Sequence, residues 1–277
     1  MSFEHITMII DPTFNSDGLH STVKAIADRA DCKITGIYCE PTEHVWPDYI
    51  DRSYDTDLQS LLAALPNESL LYRKLQVSTD RLTQICSQLS CESTIQVSTQ
   101  SMTATLDYAA VQSDLVMLDS LYMANNSVAR DRNLLSTVNK NYSNFLWVSD
   151  LVANDNFLNW PLTIVWDDDQ STISTIRKNL SLIQKFDYVY WLNASSNKSS
   201  IRQSNCQKWL ARHGVTIEPY QTDIAMDGTV KEMIAALNYP TVIMSGLGKV
   251  SFSVFKGFHF KKEPLLRELE LPIVMAA

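Results

Sequence analysis

The segment MSGLGKVSFSVFKG, residues 244–257, holds three of the chain's seven glycines: Gly246, Gly248 and Gly257. It continues from the apolar run TVIM, and a glycine-bearing loop after a strand lets backbone N–H groups approach and cradle a phosphate. Lys249, Lys256, Lys261 and Lys262 add positive charge around it. A second suggestive stretch is WDDDQST (166–172), with three carboxylates and two hydroxyls at the end of another apolar run. Asp167 there could contact a ribose or hold magnesium through a nucleotide. The competing reading is structural: Asp168 or Asp169 begins a turn, and Ser171 or Thr172 caps the following helix.

No catalytic constellation emerges elsewhere. There is no G-x-S-x-G elbow and no H-E-x-x-H, and GLGKVS lacks the spacing of a P-loop. His213 and His259 have no identifiable nucleophile beside them. The five cysteines (Cys32, Cys39, Cys86, Cys91, Cys206) and five histidines fall at no metal-binding spacing. They read as reduced, mostly buried thiols in a cytoplasmic protein, with no metal site.

The elements that must position these residues repeat along the chain. ITMIID (6–11) and LTIVWD (162–167) are short apolar strands that each end in an aspartate, Asp11 and Asp167. Each precedes a helical pattern: Leu19, Val23, Ile26 and Ala30 in the first case, Ile173, Ile176, Leu180 and Ile183 in the second. Each half then continues as strand, helix, strand, helix, strand, a variable segment, and a closing strand, NFLWVSD (144–150) or LPIVMAA (271–277). Asp11 and Asp167 are 156 residues apart, whereas Met117 and Met244, like Val148 and Met275, are 127 apart. The first half therefore carries 29 additional residues, assigned to the acidic, proline-bracketed stretch 40–71 between its second strand and second helix. That stretch reads as a surface excursion with a short helix over 58–65, or as a lid.

Alternating strands and helices imply parallel sheets with right-handed crossovers. The expected fold is α/β, two tandem doubly wound five-stranded units over 1–150 and 159–277 with a linker at 151–158. In such sheets ligands bind beyond the carboxyl ends of the strands, where the strand order reverses.

Charge follows the same division. Residues 1–158 carry 10 Lys+Arg against 20 Asp+Glu, and residues 159–277 carry 13 against 11. The overall net charge of −8 argues against general nucleic-acid binding, and the second half is the less hostile to an anion. No apolar run approaches the ~18–20 residues of a membrane helix, and no basic-then-apolar leader opens the sequence.

This organisation resembles the universal stress protein family in its tandem two-domain form. The resemblance rests on element order, on the strand-end aspartates, and on TVIM…G…G…PIVM in the last third. It implies an adenine-nucleotide alpha hydrolase-like fold and a stress-response role without catalysis, slow ATP hydrolysis being the exception to test. Members of the family that bind ATP carry Gly, two residues, Gly, nine residues, then Gly with Ser or Thr, after the fourth strand.

In the first half the matching stretch, residues 117–148, contains no glycine, and Asp119 sits where an anion would pass. Asp11 and Asp119 thus mark a degenerate site. In the second half Gly248 falls at the first motif glycine, Ser251 stands where the second is expected, and Gly257 is the candidate for the third. The closing hydroxyl is missing. The resemblance leaves Asp167, Gly246, Gly248, Ser251 and Gly257 as the candidate site for ATP or AMP, confined to the C-terminal half. The alternatives are a purely structural or regulatory protein, and a binder of a non-nucleotide molecule with 40–71 closing over it. The family resemblance also implies pairing through the last strand, here between the two halves as an intramolecular pseudo-dimer, with further homodimerisation open.

Overall fold

The computed structural model describes residues 4–10, 17–39, 56–57, 62–63, 65–67, 69–89, 91–98, 100, 102–119, 144–148, 157–166, 168–193, 201–218, 241–246 and 273–276. The first half contributes β1 (His5–Ile10), α1 (Asp17–Ala27), β2 (Lys33–Cys39), β3 (Thr56–Asp57), α2 (Leu70–Leu89), β4 (Ser93–Ser98), α3 (Met102–Gln112), β5 (Leu115–Asp119) and β6 (Asn144–Val148). A 3-10 turn, Phe157–Asn159, leads into the second half. That half contributes β7 (Leu162–Trp166), α4 (Gln170–Lys178), α5 (Leu180–Ile183), β8 (Val189–Asn193), α6 (Ile201–Arg212), β9 (Ile217–Glu218), β10 (Val242–Gly246) and β11 (Ile273–Ala276).

The strands form one sheet in the order β3-β4-β2-β1-β5-β6-β11-β10-β7-β8-β9. β4, β2, β1, β5 and β6 are mutually parallel, and so are β9, β8, β7, β10 and β11. Within each block the strands run third, second, first, fourth, fifth, the doubly wound order. The blocks meet where β6 and β11 pair antiparallel, with Leu146 opposite Val274. Strands buried on both faces read as near-continuous apolar runs, which is why β1 and β7 stand out in the sequence. Every residue of β7 is buried.

The pairing register refines the repeat. Ile6 and Leu162 occupy equivalent places, as do Val116 and Ile243, which keeps the offsets of the first and fourth strands as the sequence repeat has them. Ile34 is equivalent to Val189, and Ser93 to Ile217. The extra length of the first half therefore falls between its second and third parallel strands, where the repeat assigned it, and is slightly greater than the spacing of the flanking motifs indicates. In the closing strands Leu146 matches Val274, so Val148 is equivalent to Ala276 rather than to Met275. Leu146 and Val274 are thus equivalent residues that face each other, and a pseudo-twofold axis passes between them.

Among its described residues, the excursion over 40–71 joins the sheet at Thr56 and Asp57. Thr56 and Asp57 pair antiparallel with Val97 and Gln96 along the outer edge of β4. Leu65 is buried in the core. The two-residue β3 thus covers the outer edge of β4 at Gln96 and Val97, a short edge strand of the kind that limits edge-to-edge pairing.

On α1 the spacing of Leu19, Val23 and Ile26 places all three in the core. The second half differs from its expected single helix. The helical run breaks at Asn179, whose φ of −100° and ψ of 18° separate α4 from α5. The buried Asn179 amide donates to Thr175 O at 2.9 Å and to Asn144 Oδ1 on β6 at 3.1 Å. The break thus feeds a polar link across the junction of the two blocks. A second link joins Arg29 Nη1 to Lys185 O at 2.6 Å and Arg29 Nη2 to Asn159 Oδ1 at 3.2 Å. Beneath it Phe157 packs edge-on against Phe186, ring centroids 5.7 Å apart.

Candidate functional site

The strand order reverses between β1 and β5 and again between β7 and β10, so each block has one crevice at its carboxyl edge. Asp119 is the last residue of β5, its backbone beside Val148. Gly246 is the last residue of β10, beside Ala276. Both therefore lie at the edges where the repeat places them. Asp11, Asp167, Gly248, Ser251 and Gly257 lie outside the described residues, as do the four lysines near the glycine segment.

Around the second crevice the described residues give the following geometry. β7 ends at Trp166, and the chain turns through Asp168 with a φ of 64°. Aspartate visits this left-handed region more readily than most residues, because its short polar side chain bonds locally. Asp169 then adopts extended geometry, and its Oδ1 accepts from Ser171 N at 2.7 Å. Asp169 is thus the N-cap of α4, correcting the assignment of that role to Ser171 or Thr172. The acceptor must precede the orphan N–H groups it serves, and Ser171 and Thr172 already lie within the helix.

Ser171, freed from capping, has a buried hydroxyl with no hydrogen-bond partner. Trp166 and Trp191 stack at 5.0 Å between ring centroids, tilted by 36°. Both indole N–H groups are likewise buried and unpartnered. Such donors are rare in native interiors and ask for an acceptor. No local signal announces this pair, whose members belong to different strands with a helical segment between them. It forms because Ile164 stands opposite Trp191 in the β7–β8 register, which brings Trp166 to the same face at the next inward position of β7.

The first crevice is flanked by groups already bonded to one another. Ser98 Oγ, at the end of β4, lies 2.7 Å from Thr105 Oγ1 on α3. The Thr105 hydroxyl also lies 3.5 Å from Cys39 Sγ at the end of β2. Gln100 N donates to Ser98 Oγ at 3.2 Å. The two halves share a backbone plan but not a polar inventory at their carboxyl edges.

At the opposite, amino edge the polar residues are structural. His5 bonds Gln112 O and Thr35 Oγ1, each at 2.7 Å, and Asp114 accepts from Glu4 N at 2.8 Å. Thr163 and Thr241 hydroxyls meet at 2.7 Å between β7 and β10. Thr7, equivalent to Thr163, pairs with the Ser113 hydroxyl in the first half. Among the described residues no group of three or more His, Cys, Asp or Glu side chains could hold a metal ion, and no helix is long and apolar enough to cross a membrane. All five cysteines are free thiols, four of them buried.

No protein-family model and no curated sequence matches the chain. Among solved structures it is similar to a universal stress protein from Archaeoglobus fulgidus DSM 4304, with a TM-score of 0.59 and 7% identity. The match covers 98% of this chain and 95% of that one. At so low an identity the likeness is one of fold, and it extends over both blocks of the sheet: the chain is an α/β protein with the fold of a universal stress protein.

Proposed function

We propose that this chain is a non-catalytic stress-response protein of the tandem universal stress protein type, with degenerate nucleotide sites. The observation that carries the proposal is the fold match over nearly the whole chain, joined to two blocks of identical strand order that meet through β6 and β11. The degenerate reading is supported by residues 117–148, which offer no glycine for close approach to a phosphate and end β5 on Asp119. On this reading the two halves act as an intramolecular pseudo-dimer, and the protein works in the cytoplasm by binding partners rather than by turnover.

A second reading is favoured by the buried, unpartnered donors on Trp166, Trp191 and Ser171 beside the second crevice. They support an ATP- or AMP-binding sensor that uses the C-terminal half alone.

A thermal-shift titration with Mg-ATP and with AMP separates the two. A ligand at 100 times its Kd stabilises the folded state by about 2.7 kcal/mol. The first reading expects no response at millimolar nucleotide. A saturable response that Gly248→Asp abolishes and Leu121→Ala leaves intact would overturn it in favour of the sensor.

A further inference from the structure

We propose that the groove between α4 and α6 is a binding site for a small aromatic monocarboxylate. A cavity of about 150 Å³ lies there, lined by Ile173, Arg177, Arg202, Asn205, Cys206 and Trp209. An apolar cavity of about this volume accepts a single benzene ring. Its floor suits one: Cys206 is buried, and Ile173 and Trp209 pack on the core. Burial pushes the Cys206 thiol up to about 11, so the floor carries no charge at neutral pH.

The rim is cationic. The Arg177 guanidinium lies over the Trp209 ring, 6.0 Å from its centroid. Arg202 makes a long 3.4 Å contact to Asp168 O. Neither arginine has a carboxylate within ion-pair distance among the described residues. Asp169, whose carboxylate lies at the start of α4, is held by Ser171 N. Two like charges flanking an apolar slot are complementary to a ring bearing one carboxylate, which a guanidinium fork binds in bidentate fashion. The half-buried indole of Trp209 offers the ring an aromatic neighbour.

The first half supplies the internal comparison. By the strand offsets, Asp17 on α1 corresponds to Ile173, and Arg81 on α2 to Asn205. There the two helices are tied by an Asp17–Arg81 ion pair at 2.6 Å and by Lys24 Nζ donating to Gln88 Oε1 at 3.3 Å. The second half has replaced the pair with an isoleucine and an amide and set arginines beside them. Among the described residues the groove is bridged by an ion pair in one block, and in the other its two arginines have no carboxylate within ion-pair distance.

The test is a titration of the full chain with benzoate at constant ionic strength, read by tryptophan fluorescence and by thermal shift. Benzyl alcohol and inorganic phosphate serve as comparators. Benzoate is expected to saturate with half-effect at or below about 1 mM, at least tenfold tighter than either comparator. Arg177→Gln and Arg202→Gln should each weaken it about tenfold, whereas Arg81→Gln should leave it unchanged. Both arginines of the rim are exposed, so these variants are expected to fold, with circular dichroism as the check. No saturation up to ~10 mM, equal binding by phosphate, or indifference to both substitutions overturns the proposal. No nucleotide enters the experiment, so its outcome is independent of the function proposed above.

Discussion

Replacing Gly36 with alanine tests how closely α2 is seated on the sheet. Gly36 lies within β2, opposite Met8 of β1 and Ile95 of β4. A Cβ at this position would stand 2.9 Å from Ile10 Cδ1 and 3.0 Å from Leu82 Cδ2. Both neighbours belong to the buried core, Ile10 at 3% and Leu82 at 0% exposure, so neither methyl has free space to enter. Overpacking of this kind costs ~1–3 kcal/mol. The gain from removing glycine's freedom in the unfolded chain offsets ~0.4–1 kcal/mol of that.

Gly36→Ala should therefore destabilise by about 1–2 kcal/mol, and Gly36→Val by more. Chemical denaturation followed by far-UV circular dichroism reads the difference as a lower midpoint with an unchanged slope. The pairing Gly36→Ala with Leu82→Val should recover part of the loss, because the truncated side chain makes room for the new methyl. Two residues in contact give such non-additivity, whereas distant sites add. If Gly36→Ala is neutral or stabilising, and Leu82→Val adds its full cost in both backgrounds, the close seating of α2 over Gly36 is refuted.

Two further outcomes follow from local geometry and from the thiols. Gly214 ends α6 at a φ of 77°, with Gly214 N donating to Ala211 O and Val215 N to Leu210 O, each at 3.1 Å. These two bonds form a Schellman cap that wants glycine, so Gly214→Ala should cost about 1 kcal/mol, seen as a lower denaturation midpoint, although no atom lies near the new methyl. Burial raises the Cys32 and Cys206 thiols from 9.0 to about 11, and Cys91, through burial and its neighbour Cys86, to about 12. The unfolded chain ionises first as pH rises. The stability these groups contribute is therefore whole below pH 9 and lost between pH 9 and about 11–12. Equilibrium denaturation at pH 8 and pH 10.5 should show the fall, and replacing Cys32 and Cys206 with alanine should flatten it. At pH 8 a disulfide reagent should react slowly with the native protein and rapidly with all five thiols after unfolding.

Much of the fold could be read before any tertiary structure was known. Parallel strands buried on both faces leave contiguous apolar runs, and two such runs, 6–11 and 162–167, made the repeat visible. Helix α2 follows β2 in the order the repeat implies, with Leu75 and Leu82 on one face and both wholly buried. Less of the candidate site was legible. Asp119 and Gly246 sit at strand ends as the repeat implied, but the remaining candidates lie outside the described residues. β3 escaped notice because so short a strand carries no periodicity, and its place on β4 is a matter of long-range pairing alone.

The amino-acid order by itself determined the kinds of element, their sequence along the chain and their doubling, because burial patterns and helix periods are local and repeat wherever the same packing is needed. It also set the uneven charge of the halves. The tertiary structure alone decided which residues meet: Leu146 against Val274 at the centre of the sheet, Trp166 against Trp191 on neighbouring strands, and Asp17 with Arg81 on two helices of the first block. A one-residue slip of any strand turns its side chains to the opposite face, so these meetings are properties of the assembled sheet and not of any segment within it.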